Sequence, residues 1–236
     1  MAKRTSSKSP KKAEKKRAGK TARRSANALK AAKQGRAAKL KKPAARANAD
    51  DTAMHGKIKP WKPAEVEEAF RRFQAASPEP KGELIHVNPF TLTVAVVLSA
   101  QATDAGVNKA TPALFALADT PEKMVALGED RVRDLIKTIG LFRTKAKNVI
   151  ALSEKLIAEH GGEVPSSREE LQALPGVGRK TANVVLNIAF GHPTMAVDTH
   201  IFRIGNRTGL APGKNPLEVE EKLLEVIPAH YMMHAH

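Results

Sequence analysis

Two side chains in the second half of the chain could do chemistry together. Lys180 follows the turn Gly176-Val177-Gly178, and Asp198 stands 18 positions after it. Lysine offers an amine that is a nucleophile when neutral and an anion contact when charged. Taken singly, Lys180 reads as a phosphate contact and Asp198 as a helix N-cap, because an aspartate oxygen accepts the unpaired amides of a first turn. A Gly-x-Gly turn that opens a helix exposes backbone N–H groups with the positive end of the helix dipole behind them. Such a turn holds a phosphate.

The elements that must position these residues are helices. Ser166-Ser167-Arg168-Glu169 has a serine three residues before a glutamate, which predicts a capped start from Ser166 for a short helix that Pro175 and Gly176 end. Gly178 offers backbone conformations closed to other residues, and from Arg179 to Phe190 the apolar residues Val184, Val185, Ile188 and Ala189 predict a second helix, stopped by Gly191 and Pro193. That helix carries the chain away by about 18 Å, and the seven residues that follow span up to roughly 23 Å when extended. Asp198 can therefore return beside Lys180.

The rest of the chain agrees with an all-α protein. Pro63 to Phe73 repeats apolar residues at helical spacing, and Asn88-Pro89 opens a thoroughly apolar run to Ala100 that is β-branched enough to resemble a strand. Its length and its capping start predict a buried central helix. Further helices are predicted over 107–117, 121–127, 129–137 and 144–160, the last two joined by a turn that holds Leu141. Lys145 and Lys147 beside it would bind phosphates or solvate a face.

Charge is divided unevenly. Residues 1–57 hold 19 basic against 3 acidic side chains, whereas the remainder holds 21 of each, so the whole net charge of +16 belongs to the first segment. With almost no large apolar residue, that segment is predicted to be a disordered basic tail that tethers the chain to nucleic acid. The body must be judged by its motifs. No apolar run approaches the roughly 20 residues that span a bilayer. There is no cysteine, hence no disulfide and no thiolate metal site. The chain reads as cytoplasmic.

The string Leu174-Pro175-Gly176-Val177-Gly178-Arg179-Lys180-Thr181-Ala182, together with Asp198, resembles the helix-hairpin-helix DNA glycosylases of the endonuclease III family. The resemblance runs from about Trp61 to the last residue. It implies two helical lobes with a DNA-binding cleft: a central lobe over 81–192, and a second lobe made of the first helix, 58–80, and of 193–236. It implies a bifunctional DNA glycosylase and AP lyase acting as a monomer on double-stranded DNA with oxidised pyrimidines or abasic sites, with Lys180 and Asp198 as the catalytic pair. By the same resemblance Gln101 fills the gap left by a flipped nucleotide and Leu141 wedges the base stack. Gly176, Gly178, Arg179 and His200 would contact DNA beside them. Family members carry a [4Fe–4S] cluster on four cysteines in a segment that would follow His236. This chain has no residue to ligate it, and a second lobe ending here is expected to leave Leu217, Leu223, Leu224, Val226 and Ile227 partly uncovered.

Overall fold

The fold is built around the helix Pro89–Ser99, α2. Asn88 caps it by accepting the Thr91 N–H at 2.8 Å, Pro89 supplies a first-turn residue with no amide to satisfy, and Phe90 to Leu98 are all buried. Burial outweighs β-branched propensity here, because each enclosed Val or Leu side chain contributes about 1.5–3 kcal/mol. The hydroxyls inside this core satisfy themselves within their own helices: Thr93 donates to the Pro89 carbonyl at 2.8 Å. Thr111 and Ser153 do the same to Val107 and Val149.

The computed structural model describes residues 58–80 and 82–236, all of whose regular elements are helical. The basic tail expected over 1–57 lies outside the described residues. Before α2 comes α1, Pro63–Ala76; after it come α3, Asp104–Leu117, α4, Pro121–Leu127, α5, Glu129–Leu135, and α6, Phe142–His160. The hairpin helices are α7, Arg168–Ala173, and α8, Arg179–Phe190; then follow α9, Thr199–Thr208, α10, Pro216–Val226, a 3₁₀ turn at Ala229–Tyr231 and α11, Met232–Ala235.

Two hydrophobic clusters organise these elements. The larger packs α3, α6 and α8 around α2, with α4 and α5 laid on α6 and α7 on α8. The smaller joins Val66 and Phe70 of α1 to Met195, Val197, Phe202, Val219, Leu223, Ile227, Tyr231 and Met232. Residues more than a hundred positions apart are tied there directly: the Trp61 indole donates to the Thr208 carbonyl at 2.6 Å, and Phe70 stacks on Tyr231 with ring centroids 6.0 Å apart. This closure corrects one expectation. Leu223 and Ile227 are buried, since α1 and the chain's last turns cover them, whereas Leu224 and Val226 are partly exposed and Leu217 is 43% exposed, as expected.

Candidate active site

The hairpin differs in detail from the sequence reading. Ser167 rather than Ser166 caps α7, its hydroxyl accepting the Glu170 N–H at 3.4 Å. Leu174 and Val177 are buried and anchor the turn in the larger core. The residue that needs glycine's freedom is Gly176, with φ of +82°, and a Cβ there would also lie 2.9 Å from the Asn148 side-chain nitrogen. Gly178 has φ of −97°, open to any residue, and a Cβ on it would meet nothing within 4 Å. Its missing side chain leaves the start of α8 open. No side chain caps that start, and the amides of residues 179–181 have no partner within the helix.

The segment after α8 is zipped back along it. The buried Asn183 amide donates to the Met195 carbonyl at 2.8 Å, its side-chain oxygen accepts Arg168 Nε at 2.9 Å, and the Thr194 hydroxyl donates to its backbone carbonyl at 2.6 Å. Asn187 donates to the His192 carbonyl at 3.1 Å. These bonds bring Asp198 to Lys180, with Oδ2 3.6 Å from Nζ. The helix cap expected of Asp198 is present, and its two oxygens face different partners. Oδ1 caps α9, accepting the N–H groups of exposed His200 at 2.8 Å and Ile201 at 2.9 Å, while Oδ2 faces the amine. Burial is the largest single influence on this carboxyl and pushes its pKa up. The Ile201 N–H, the Lys180 charge and the His200 N–H together outweigh it and hold the value below the usual aspartate range.

The Arg179 side chain has a protein partner. Its guanidinium makes a two-pronged pair with Glu220 of α10, Nε to Oε2 at 2.8 Å and the second nitrogen to Oε1 at 2.9 Å. Glu220 is buried, and its hydrogen bond raises the Arg179 pKa further. Sequence reading missed Asn183, Asn187 and Glu220, although each is a polar residue that interrupts a helix otherwise rich in apolar side chains. That interruption was the available signal.

Among the described residues, Gln101 and Leu141 are the two non-glycine residues with positive φ, 55° and 61°. Each left-handed residue costs about 1–2 kcal/mol. Both side chains are exposed, Leu141 to 60%, and the two loops adjoin, for a Cβ on Gly140 would sit 3.8 Å from the Gln101 carbonyl oxygen. Lys145, one turn into α6, fits neither sequence reading. It is buried, its amine has no hydrogen-bond partner, and desolvation lowers its pKa; Lys147 is exposed.

Residues 94–229, which hold the hairpin, Lys180 and Asp198, match the family model described as the HhH-GPD superfamily base excision DNA repair protein. The chain belongs to that superfamily. Within it, the chain is 57% identical over 169 residues to endonuclease III of Haemophilus influenzae, covering 72% of this chain and 80% of that protein. It is 56% identical over 169 residues to endonuclease III of Escherichia coli K12, with the same shares covered. A solved structure described as a trapped endonuclease III–DNA covalent intermediate, estranged-adenine complex, superposes with a TM-score of 0.70 at 44% identity, covering 75% of this chain and 83% of that one. This HhH-GPD protein is accordingly a base excision repair DNA glycosylase with AP lyase activity, and it binds DNA. An iron–sulfur cluster needs thiolate ligands, and no residue of these 236 fits one. Among the described residues no group of His, Asp and Glu is placed to hold a metal, and no helix is long and apolar enough to cross a membrane.

Proposed function

We propose that Lys180 and Asp198 divide the work of removing an oxidised pyrimidine from double-stranded DNA and cutting the strand. The observation that carries this reading is their 3.6 Å contact at the open start of α8. Once neutral, the Lys180 amine attacks the sugar C1′; the N–C bond forms, and the base leaves with the electrons of its glycosidic bond and takes up a proton. Ring opening gives a Schiff base. The iminium acidifies the C2′ hydrogen, and loss of that proton expels the 3′ phosphate oxygen by β-elimination. Asp198 keeps its negative charge because its pKa is held low, so it stabilises the positive charge that builds on the sugar as the base departs. The enzyme acts as a cytoplasmic monomer. Base release from duplexes that each carry one lesion tests the substrate class. Release from oxidised pyrimidines is expected, and a preference for alkylated purines would overturn it.

The amides of residues 179–181 hold a backbone phosphate in this reading, and a cap would compete for them. Gly178→Ser should leave the fold as stable or add up to about 1 kcal/mol, because the hydroxyl caps α8 and the unfolded chain loses glycine's freedom, while DNA affinity falls. Gly176→Ala should instead destabilise by more than about 1 kcal/mol, since a left-handed residue and the Asn148 side chain both oppose it. Thermal unfolding beside a DNA titration separates the two. Equal affinity for Gly178→Ser and wild type would remove the phosphate from this turn.

Gln101 and Leu141 enter the duplex together and hold the gap open while the damaged nucleotide is flipped. Two exposed residues in strained conformations on adjoining loops support that role, because packing gains nothing from either. Leu141→Gly should hold or raise the thermal midpoint, as about 1 kcal/mol of strain is relieved and little burial is lost. Base release should slow. A less stable variant with an unchanged rate would return Leu141 to a packing role.

A further inference from the structure

Lys180 stands on α8, whose Ala182, Val185 and Leu186 belong to the larger core, whereas Asp198 caps α9, whose Phe202 belongs to the smaller. Lys180 is 55% and Asp198 34% exposed, so their own attraction is too weak to set the distance between helices anchored in two different hydrophobic clusters. Something else must hold the amine in register. The zip through Asn183 fixes the return segment on α8 but ends at Thr194 and Met195, three residues short of Asp198.

The second link is Arg179 with Glu220. Arg179 is the first residue of α8 and adjoins Lys180 in the chain. Glu220 is 3% exposed, lies between Val219 and Leu223 of the smaller core, and sits on α10, which packs on α9. Two parallel bonds of 2.8 and 2.9 Å fix both the separation and the angle of the guanidinium. Glu220 is buried while the Arg179 side chain stays 39% exposed, and an ion pair that desolvates one carboxylate adds little net stability over apolar residues of similar volume, so its use here calls for a geometric reason.

We propose that the Arg179–Glu220 pair is a positioning clamp for the reaction: it holds the start of α8 against α10 and so sets the reach of Lys180 toward Asp198. The proposal rests on the reading of Lys180 and Asp198 as the catalytic pair. In this reading only the Arg179 backbone N–H faces the phosphate, whereas its guanidinium is engaged by Glu220. The pair's effect is to hold the amine where the carboxylate faces it, and misplacement by a fraction of an ångström is enough to slow a positioned attack.

The test uses the full chain on a duplex with one abasic site. Single-turnover borohydride trapping at saturating DNA is compared for wild type, Glu220→Gln and Arg179→Lys, with affinity for an uncleavable abasic analogue and thermal midpoints alongside. Trapping should slow by roughly 10- to 100-fold in both variants, with affinity little changed. In an Asp198→Asn background the same substitutions should cost at most about twofold, since the geometry they protect has lost its partner. A purely structural pair would lower the midpoint and act equally in both backgrounds. If Glu220→Gln fails to fold, Arg179→Lys carries the test, keeping the charge and losing the fork. Unslowed trapping in a folded variant, equal effects in both backgrounds, or lost affinity at an intact rate would each overturn the clamp. Lys180→Gln run beside them separates the failures: trapping that persists there sinks the catalytic pair itself, whereas trapping lost there but unslowed in the clamp variants sinks the clamp alone.

Discussion

Lys180→Gln is expected to abolish the covalent complex that borohydride fixes between this chain and an abasic or oxidised-pyrimidine duplex. Reduction traps a Schiff base, and an amide side chain cannot form one. The fold should survive. Lys180 is more than half exposed and its contact with Asp198 is long, so losing it costs no more than about 1 kcal/mol. Affinity for uncleaved DNA should stay broadly intact, because the unpaired amides at the start of α8 and the exposed Leu141 remain. Gel detection of the trapped species, set beside a binding titration, reads both effects. A trapped band in Lys180→Gln would place the nucleophile on another amine.

Asp198→Asn should slow base removal by roughly 10²-fold or more, the size expected when an electrostatic or acid–base contributor is lost. Cleavage of a preformed abasic site should suffer less, because no base then has to leave. Asparagine is chosen because it caps a helix about as well as aspartate, so α9 keeps its two amide bonds and the charge alone is removed. Asp198→Ala would add a loss of stability of about 1 kcal/mol for the missing cap. The pH dependence of stability supplies a check on the same charge. The folded pKa of Asp198 lies below its unfolded value, so its contribution is complete above the ordinary aspartate range and fades as the pH falls through the folded value. Wild type should therefore lose some of its thermal advantage over Asp198→Asn in the acid region below about pH 4. Equal base-removal rates for the two proteins near neutral pH would leave Asp198 as a cap and nothing more.

Much of the local structure was legible in the sequence. Asn88-Pro89 announces a helix start that the structure shows, and 121–127 and Arg179 to Phe190 are helices over the ranges predicted. Where reading failed, two neighbouring residues of the same type competed for one task. Ser166 and Ser167 both satisfy the serine-to-glutamate pattern, and Gly176 and Gly178 both permit a turn; Ser167 is the cap, and Gly176, between the buried Leu174 and Val177, takes the left-handed turn.

The amino-acid sequence by itself determined the helices, the Asp198 cap and a return long enough to let Asp198 reach Lys180, because caps, breakers and apolar period act within a few residues of the atoms they control. Tertiary structure decided what each charged side chain faces. Arg179 and Lys180 are adjacent in the chain, yet one is committed to Glu220, 41 positions on, and the other is left open toward Asp198. Lys145 and Lys147 are two apart on α6, yet one is buried and the other exposed. Successive residues of a helix point about 100° apart, so which of them meets a partner depends on where distant helices pack against that face. The left-handed Gln101 and Leu141 are of the same kind: nothing local favours that conformation for either residue, and only the surrounding helices hold the two loops side by side.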